Sequence, residues 1–248
     1  MLVLAIDTAT AQVGVAVGVG GAVLGEVRLI GGRRHAEQLA PAIRSLAEWT
    51  GVRLDQLAAI SVGVGPGLFT GLRVGVTTAK VMAQALRIPV VPVPSLDLVA
   101  YPVRHTSRLV VAVLDARRRE VFHASYRPVP GGVQRVSEYA VATPVDLVAQ
   151  LEAGGEEVLL VGDGVAAHAE AFAGLDRVEL AGPEFANPSV AALIALATAR
   201  VEREEFDAPW EVRPLYLRES DAELNWTSPR GPRPQAPGPE SSRSGRPR

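Results

Sequence analysis

Hydrophobic positions at the start of the chain fall in short runs rather than at helical spacing. Leu2 to Ile6 is apolar and closes on Asp7-Thr8-Ala9-Thr10, which predicts a buried strand ending in a polar turn. Val13, Val15, Val17 and Val19 alternate with small residues, Gly20-Gly21 makes a tight turn, and Val23 to Ile30 returns as a hairpin arm. The period then changes. Leu39, Ile43, Leu46 and Trp49 share one face of a helix predicted from about His35 to Trp49. Leu57 to Val64 reads as a buried strand, and Gly65-Pro66-Gly67 as a turn. A helix capped by Thr70 and running to about Leu86, a strand Pro89 to Val93 and a short helix from Ser95 follow.

The same order then repeats. Leu109 to Leu114 is a strand ending at Asp115, and Glu120 to Tyr126 with Val133 to Val141 forms a hairpin across Pro130-Gly131-Gly132. A helix from Pro144 to Leu151 leads to the strand Val158 to Val161 and the turn Gly162-Asp163-Gly164. A helix to about Phe172, a strand near Val178 and a long helix from Pro188 to Glu204 complete the pattern. Each half thus reads β-β-β-α-β-α-β-α, with an Asp closing its first strand. An α/β protein with a duplicated, ribonuclease-H-like, two-lobed fold of the actin (ASKHA) type is the expectation. One lobe spans residues 1–100 with the candidate partner-binding helices, and a second spans 108–206. Residues 207–226 form an ordered segment that packs back on a lobe. Residues 227–248 are expected to be a disordered basic Pro/Gly/Arg tail with no core to bury.

The segment from Gly63 to Gly75 is the most distinctive stretch. It is no Walker A loop, because Gly71 is followed by Leu72 and Arg73 where Lys and a hydroxyl are needed. Nor does it carry G-x-G-x-x-G, since Leu68 and Thr70 stand at the third glycine positions. Gly71, Gly75, Ala79 and Ala83 instead lay a smooth stripe along one helical face. Gly75 costs the helix about 1 kcal/mol relative to Ala, so a close neighbour should compensate. That neighbour is either the chain's own sheet or a helix of another chain.

Composition narrows the class. The 248 residues hold no Cys, so there is no disulfide and no thiolate metal site. No basic, cleavable leader and no spanning apolar run is read, which predicts a cytoplasmic protein away from membranes. A net charge of −2 gives no overall pull toward nucleic acid. Arg117, Arg118 and Arg119 form the compact basic run of the ordered body, and Arg33 with Arg34 a smaller one. With no aromatic residues interleaved among them, they read as a solvated surface rather than an RNA contact.

Five stretches together carry a resemblance: LAIDTAT, HAEQLAP, GVGPGLFTGLRVGV, DARRREVF and PLYLR, in this order over residues 1–218. The chain resembles the bacterial TsaB (YeaZ) family of tRNA threonylcarbamoyladenosine biosynthesis proteins. The resemblance implies a non-catalytic subunit that pairs with the metal-containing catalytic subunit TsaD and works with the ATPase TsaE. Together they transfer a threonylcarbamoyl group to the adenosine beside the anticodon of tRNAs reading codons that begin with A. It implies tRNA contact only within that complex and no cofactor of its own, with ATP or ADP at the junction with the partner. Where the catalytic family has a V-H-H-x-E-G-H type segment, this sequence has Val93 to Val99, with Ser95 and Val99 at the ligand positions. Neither is a useful metal ligand, and His35, His105, His123 and His168 are scattered.

Two sets of site residues follow. His35, Leu39, Ile43, Leu46, Gly71, Gly75 and Ala79 are the candidate partner interface, two helices forming half of a four-helix bundle. Self-pairing through the same patch, a homodimer, is the expectation without the partner. Asp7, Thr8, Thr10 and Asp115 are the candidates for nucleotide, by analogy with the strand-end acids of actin-like kinases. The competing reading for both acids is capping of hairpin amides. The motif position held by Gly in the family is Arg119 here, against a phosphate cradle. A catalytic threonylcarbamoyl transferase, an actin-like small-molecule kinase and a protease remain the alternatives.

Overall fold

The computed structural model describes residues 1–31 and 34–218. Strands β1 (Leu2–Asp7), β2 (Gln12–Val19) and β3 (Ala22–Ile30) form an antiparallel meander. β4 (Ala59–Gly63) and β5 (Val90–Val93) add in parallel, giving the order β3-β2-β1-β4-β5. Helices cover both faces, so β1 reads as a continuous apolar run. Leu4 and Ile6 face α1 (His35–Thr50) and α2 (Phe69–Leu86). Val3 and Ala5 face Leu193, Ile194 and Ala197 of α7 (Val190–Glu202), the last helix among the described residues.

The second sheet repeats the plan. β6 (Leu109–Arg117), β7 (Glu120–Val129) and β8 (Gly132–Arg135) form the meander, and β10 (Val158–Val161) and β11 (Val178–Leu180) run parallel beside β6. The path β8-β7-β6-β10-β11 matches the first sheet strand for strand, and a short β9 (Ala140–Ala142) pairs with β7. The two-lobed actin-like fold is thus present. One face packs on α4 (Pro144–Gly154) and α6 (Ala169–Phe172) through Leu147 and Phe172, with Val165 of α5 (Asp163–Ala167). The other face receives Leu96, Val99 and Ala100 of α3 (Ser95–Ala100). Leu98 of the same short helix joins the α7 side of the first sheet, so α3 is shared between the two sheets.

Three expectations need correction. α7 was grouped with the second lobe by chain order, but it is apolar on most sides and finds its burial on the first sheet. Thr70 is not the cap of α2. The helix starts at Phe69 after an extended Leu68 and has no side-chain cap. The arm expected over Val133 to Val141 is two strands, β8 and β9, both paired to β7.

The segment after α7 crosses the molecule. Asp207 exchanges backbone hydrogen bonds with Val90 at 3.0 and 2.9 Å, and Val212 is buried in the α1–α2 core. Lys80, the sole lysine, donates from Nζ to the Val212 carbonyl at 3.0 Å. Leu215 N donates to Val64 O at 2.7 Å, and Leu217 packs on the second sheet's core. Arg218 then pairs with Glu120 at 2.7 Å. Residues 219–226 of the expected ordered segment, the basic tail at 227–248, and Arg33 lie outside the described residues.

The placement of α7 predicts the outcome of Leu193→Ala. Truncating this fully buried side chain should cost about 2–5 kcal/mol. Hydrogen exchange should show lost protection in β1, β4 and β5 more than in β10 and β11.

Candidate functional site

The turn from β1 to β2 is closed over by the rest of the chain. Asp7, Thr8 and Thr10 are 0%, 1% and 2% exposed. Thr8 Oγ1 donates to the Gly71 carbonyl at 2.7 Å, and Thr10 Oγ1 donates to Asn187 Oδ1 at 2.7 Å. His35 Nε2 donates to the Thr10 carbonyl at 2.8 Å. Leu68 N donates to Ala9 O at 2.7 Å, and Gln12 Nε2 to Pro188 O at 3.1 Å. The hydroxyls proposed to meet phosphate therefore bond to the chain itself.

The glycines of α2 explain this closeness. A Cβ on Gly71 would overlap the Thr8 carbonyl oxygen, and one on Gly75 would overlap Thr8 Oγ1. The neighbour that compensates for Gly75 is β1, not another chain. The candidate interface must be corrected accordingly. Leu39, Ile43, Leu46 and Ala79 belong to the core between α1, α2 and the first sheet. His35, Gly71 and Gly75 are also buried, against the Asp7–Thr10 turn. An apolar stripe of this width reports that a helix is covered, without saying by what. The exposed positions are instead Ala36, Glu37, Ala40, Pro41, Arg44, Glu48 and Trp49 on α1, and Thr70, Arg73, Thr77, Val81, Gln84 and Ala85 on α2.

Asp7 is chemically the most perturbed group of the turn. Its Oδ1 accepts the Ala9 amide at 3.1 Å, while Oδ2 is buried without a hydrogen-bond partner. Gly63 provides the space, since a Cβ there would overlap Oδ2. Burial pushes the carboxyl up to about 7, with the Ala9 amide and the nearby Ser95 hydroxyl pulling the other way. Ser95 Oγ itself accepts the Gly65 amide at 3.1 Å.

The second lobe repeats the turn in an open form. Asp115 Oδ1 accepts the Arg117 amide at 2.8 Å, the same two-residue reach that Asp7 makes to Ala9. Asp115 also pairs with the Arg117 guanidinium at 2.9 Å, and its amide donates to Asp163 Oδ1 at 2.9 Å. Burial raises Asp163 to about 6; the bond from the Asp115 amide opposes this, and the Asp115 charge adds to it. His168 Nε2 stands 3.9 Å from Asp115 Oδ1, buried and without a hydrogen bond. The Asp163 and His168 neighbours were not anticipated. Only the Gly162-Asp163-Gly164 turn hinted at the first. Asp7 and Asp115 lie at equivalent ends of different sheets, and each is held by its own lobe's turn. No helix among them is long and apolar enough to cross a membrane.

Asp7 gives a pH prediction. Its folded value stands above the 3.8 of an ordinary aspartate, so the folded state holds the proton more tightly. The resulting stability is full below about pH 4 and is lost as pH rises through about 7. Asp7→Asn should therefore gain on the wild type between about pH 5 and 8, by a few kcal/mol at most. Melting temperatures measured in parallel across that range check it; a constant difference between the two proteins would refute it.

Comparison with known proteins fits this geometry. A family profile described as "TsaD: tRNA N6-adenosine threonylcarbamoyltransferase" matches residues 26–226. The tRNA threonylcarbamoyladenosine biosynthesis protein TsaB of Bacillus subtilis is 30% identical over 91% of this chain and 98% of its own length. Its namesake in Haemophilus influenzae is 28% identical over 91% and 96%. The crystal structure of YeaZ from Pseudomonas aeruginosa superposes with a TM-score of 0.76 at 28% identity, covering 87% of this chain and 99% of that one. With near-complete coverage in both directions and the duplicated sheet order in place, the chain belongs to the TsaB family of tRNA threonylcarbamoyladenosine biosynthesis proteins.

Proposed function

We propose that this chain is the non-catalytic scaffold subunit of a tRNA threonylcarbamoyladenosine-forming assembly, paired with a TsaD-like catalytic subunit and working with a TsaE-like ATPase. The observation that carries the reading is the fate of Ser95 and Val99. These occupy the positions where the catalytic family keeps its imidazole ligands, and here they are structural. Ser95 Oγ holds the Gly65 amide, and Val99 is 1% exposed in the core beneath the second sheet. The internal bonding of Asp7, Thr8 and Thr10 supports the same reading against an actin-like kinase.

The partner surface in this reading is the outer face of α1 and α2, since the inner face is spent on the chain's own sheet. Val81 at 61% and Trp49 at 74% exposure are its large apolar groups. ATP or ADP at the junction with the partner stays part of the proposal. It is tested by titrating labelled ADP into the chain alone and into the pair.

Two substitutions separate surface from core. Val81→Glu should leave the fold intact and weaken capture of the catalytic subunit by about tenfold or more. Ile43→Glu should instead unfold the chain, because its side chain is 5% exposed. The functional test is modification of an unmodified tRNA transcript by the other subunits, without and then with this chain. Turnover by this chain alone would overturn the scaffold reading.

A further inference from the structure

Three of the four outer edges of the two sheets are short or covered among the described residues. Asp207 bonds the Val90 backbone on the β5 edge, and β8 and β11 run for four and three residues. β3 differs. It is nine residues long and ends the first sheet, with β2 along one side. Its register with β2 shifts between Val17 and Gly18, which leaves Leu24 as a bulge and Gly25 to Ile30 as a regular edge. An open edge strand presents unpaired N–H and C=O groups to which another strand can bond.

The side chains of that edge are complementary to themselves. Gly25 sits against Thr50 and Leu46, and Val27 packs on the α1–α2 core, so these alternate positions face α1. Glu26 and Arg28 point to the opposite face, where both are exposed and pair with each other at 3.0 Å. An edge carrying charges of one sign would repel a second copy, but here an acid and a base flank Val27 symmetrically. With β3 of a second copy antiparallel and centred on Val27, Glu26 of each stands opposite Arg28 of the other. Gly25 then falls opposite Leu29, and Leu24 (54% exposed) comes level with Ile30 (74% exposed). Sliding by two residues, the smallest shift that keeps the sheet faces matched, sets Glu26 against Glu26 or Arg28 against Arg28.

We propose that β3 pairs with β3 of a second copy of this chain, so that two five-stranded sheets run on as one across a two-fold axis at Val27. The self-pairing expected through the inner faces of α1 and α2 has no free surface there, because those faces are buried on the chain's own sheet. The β3 edge supplies a different one. Its occupant is a second copy rather than an unrelated strand because the edge matches its own sequence, charge for charge, about that axis. This inference does not depend on the scaffold reading. α2 packs over β1, β4 and β5, so Val81 lies outside the β3 contact.

The test is sedimentation velocity on the full chain alone, over a concentration series reaching about 0.1 mM. The wild type should dimerise. Glu26→Arg and Arg28→Glu each set like charges opposite one another, and each should weaken self-association about tenfold or more. Mixed in equal amounts, the two variants should dimerise with each other, because every Arg then meets a Glu. Glu26→Arg/Arg28→Glu, which exchanges the two charges, should dimerise as the wild type does. Both positions are exposed and their mutual pair contributes little, so all these variants should melt with the wild type. A wild type that stays monomeric at every concentration would overturn the proposal. So would a dimer that neither single variant weakens, a mixture of the two that stays monomeric, or a monomeric double variant. Val81→Glu should leave the dimer intact even where it loses the catalytic subunit, so this proposal and the scaffold reading fail on different results.

Discussion

The seating of α2 on the end of β1 is the contact on which the first lobe depends. Gly71 and Gly75 bring the helix backbone onto Thr8, where any side chain would collide with it, and the Thr8 hydroxyl bonds the Gly71 carbonyl. Gly75 weakens the isolated helix by about 1 kcal/mol, so the helix is stable only as part of this packing. Once α2 is seated, the Asp7–Gln12 turn lies beneath it, and His35 and the Asn187–Pro188 segment complete its hydrogen bonds. Asp7 is left in a space shaped by Gly63, with one oxygen unpartnered. Its raised protonation follows from that enclosure rather than from any nearby charge.

Duplication makes the consequence visible. Both lobes carry an aspartate at or near the end of their first strand that accepts the amide two residues on. In the first lobe an 18-residue helix with glycines on its inner face closes the turn. In the second, α5 has five residues, and the turn opens into the arginine hairpin. One backbone plan therefore gives a sealed turn and an exposed one, and the side chains at each differ accordingly.

Much of this was legible in the sequence, because it depends on local pattern. The strand ends at Asp7 and Val161, the Gly20-Gly21 turn and the β-β-β-α-β-α-β-α repeat follow from short periodicities, whereas β6 runs two residues past the expected end at Asp115 to Arg117. What escaped depends on which surface covers which. The stripes on α1 and α2 demanded an apolar, closely approaching neighbour, and a partner helix satisfies that demand as well as β1 does. α7 follows the second sheet in the chain yet is buried on the first.

The two sheets are joined at more than the chain crossing. α3 sends Leu98 into one core and Leu96, Val99 and Ala100 into the other, while Asp97 Oδ1 accepts both Tyr126 and Tyr139 hydroxyls at 2.8 Å. On the other route, the segment from Asp207 to Arg218 bonds β5, Lys80, Val64 and finally Glu120. A kinase of two-lobed design must open to admit substrate and close to exclude water. Two independent ties, one through a shared buried helix and one through a strap hydrogen-bonded along its length, oppose that motion. A scaffold asks for the reverse: surfaces held at fixed separation, so that a partner meets them without first paying for their alignment.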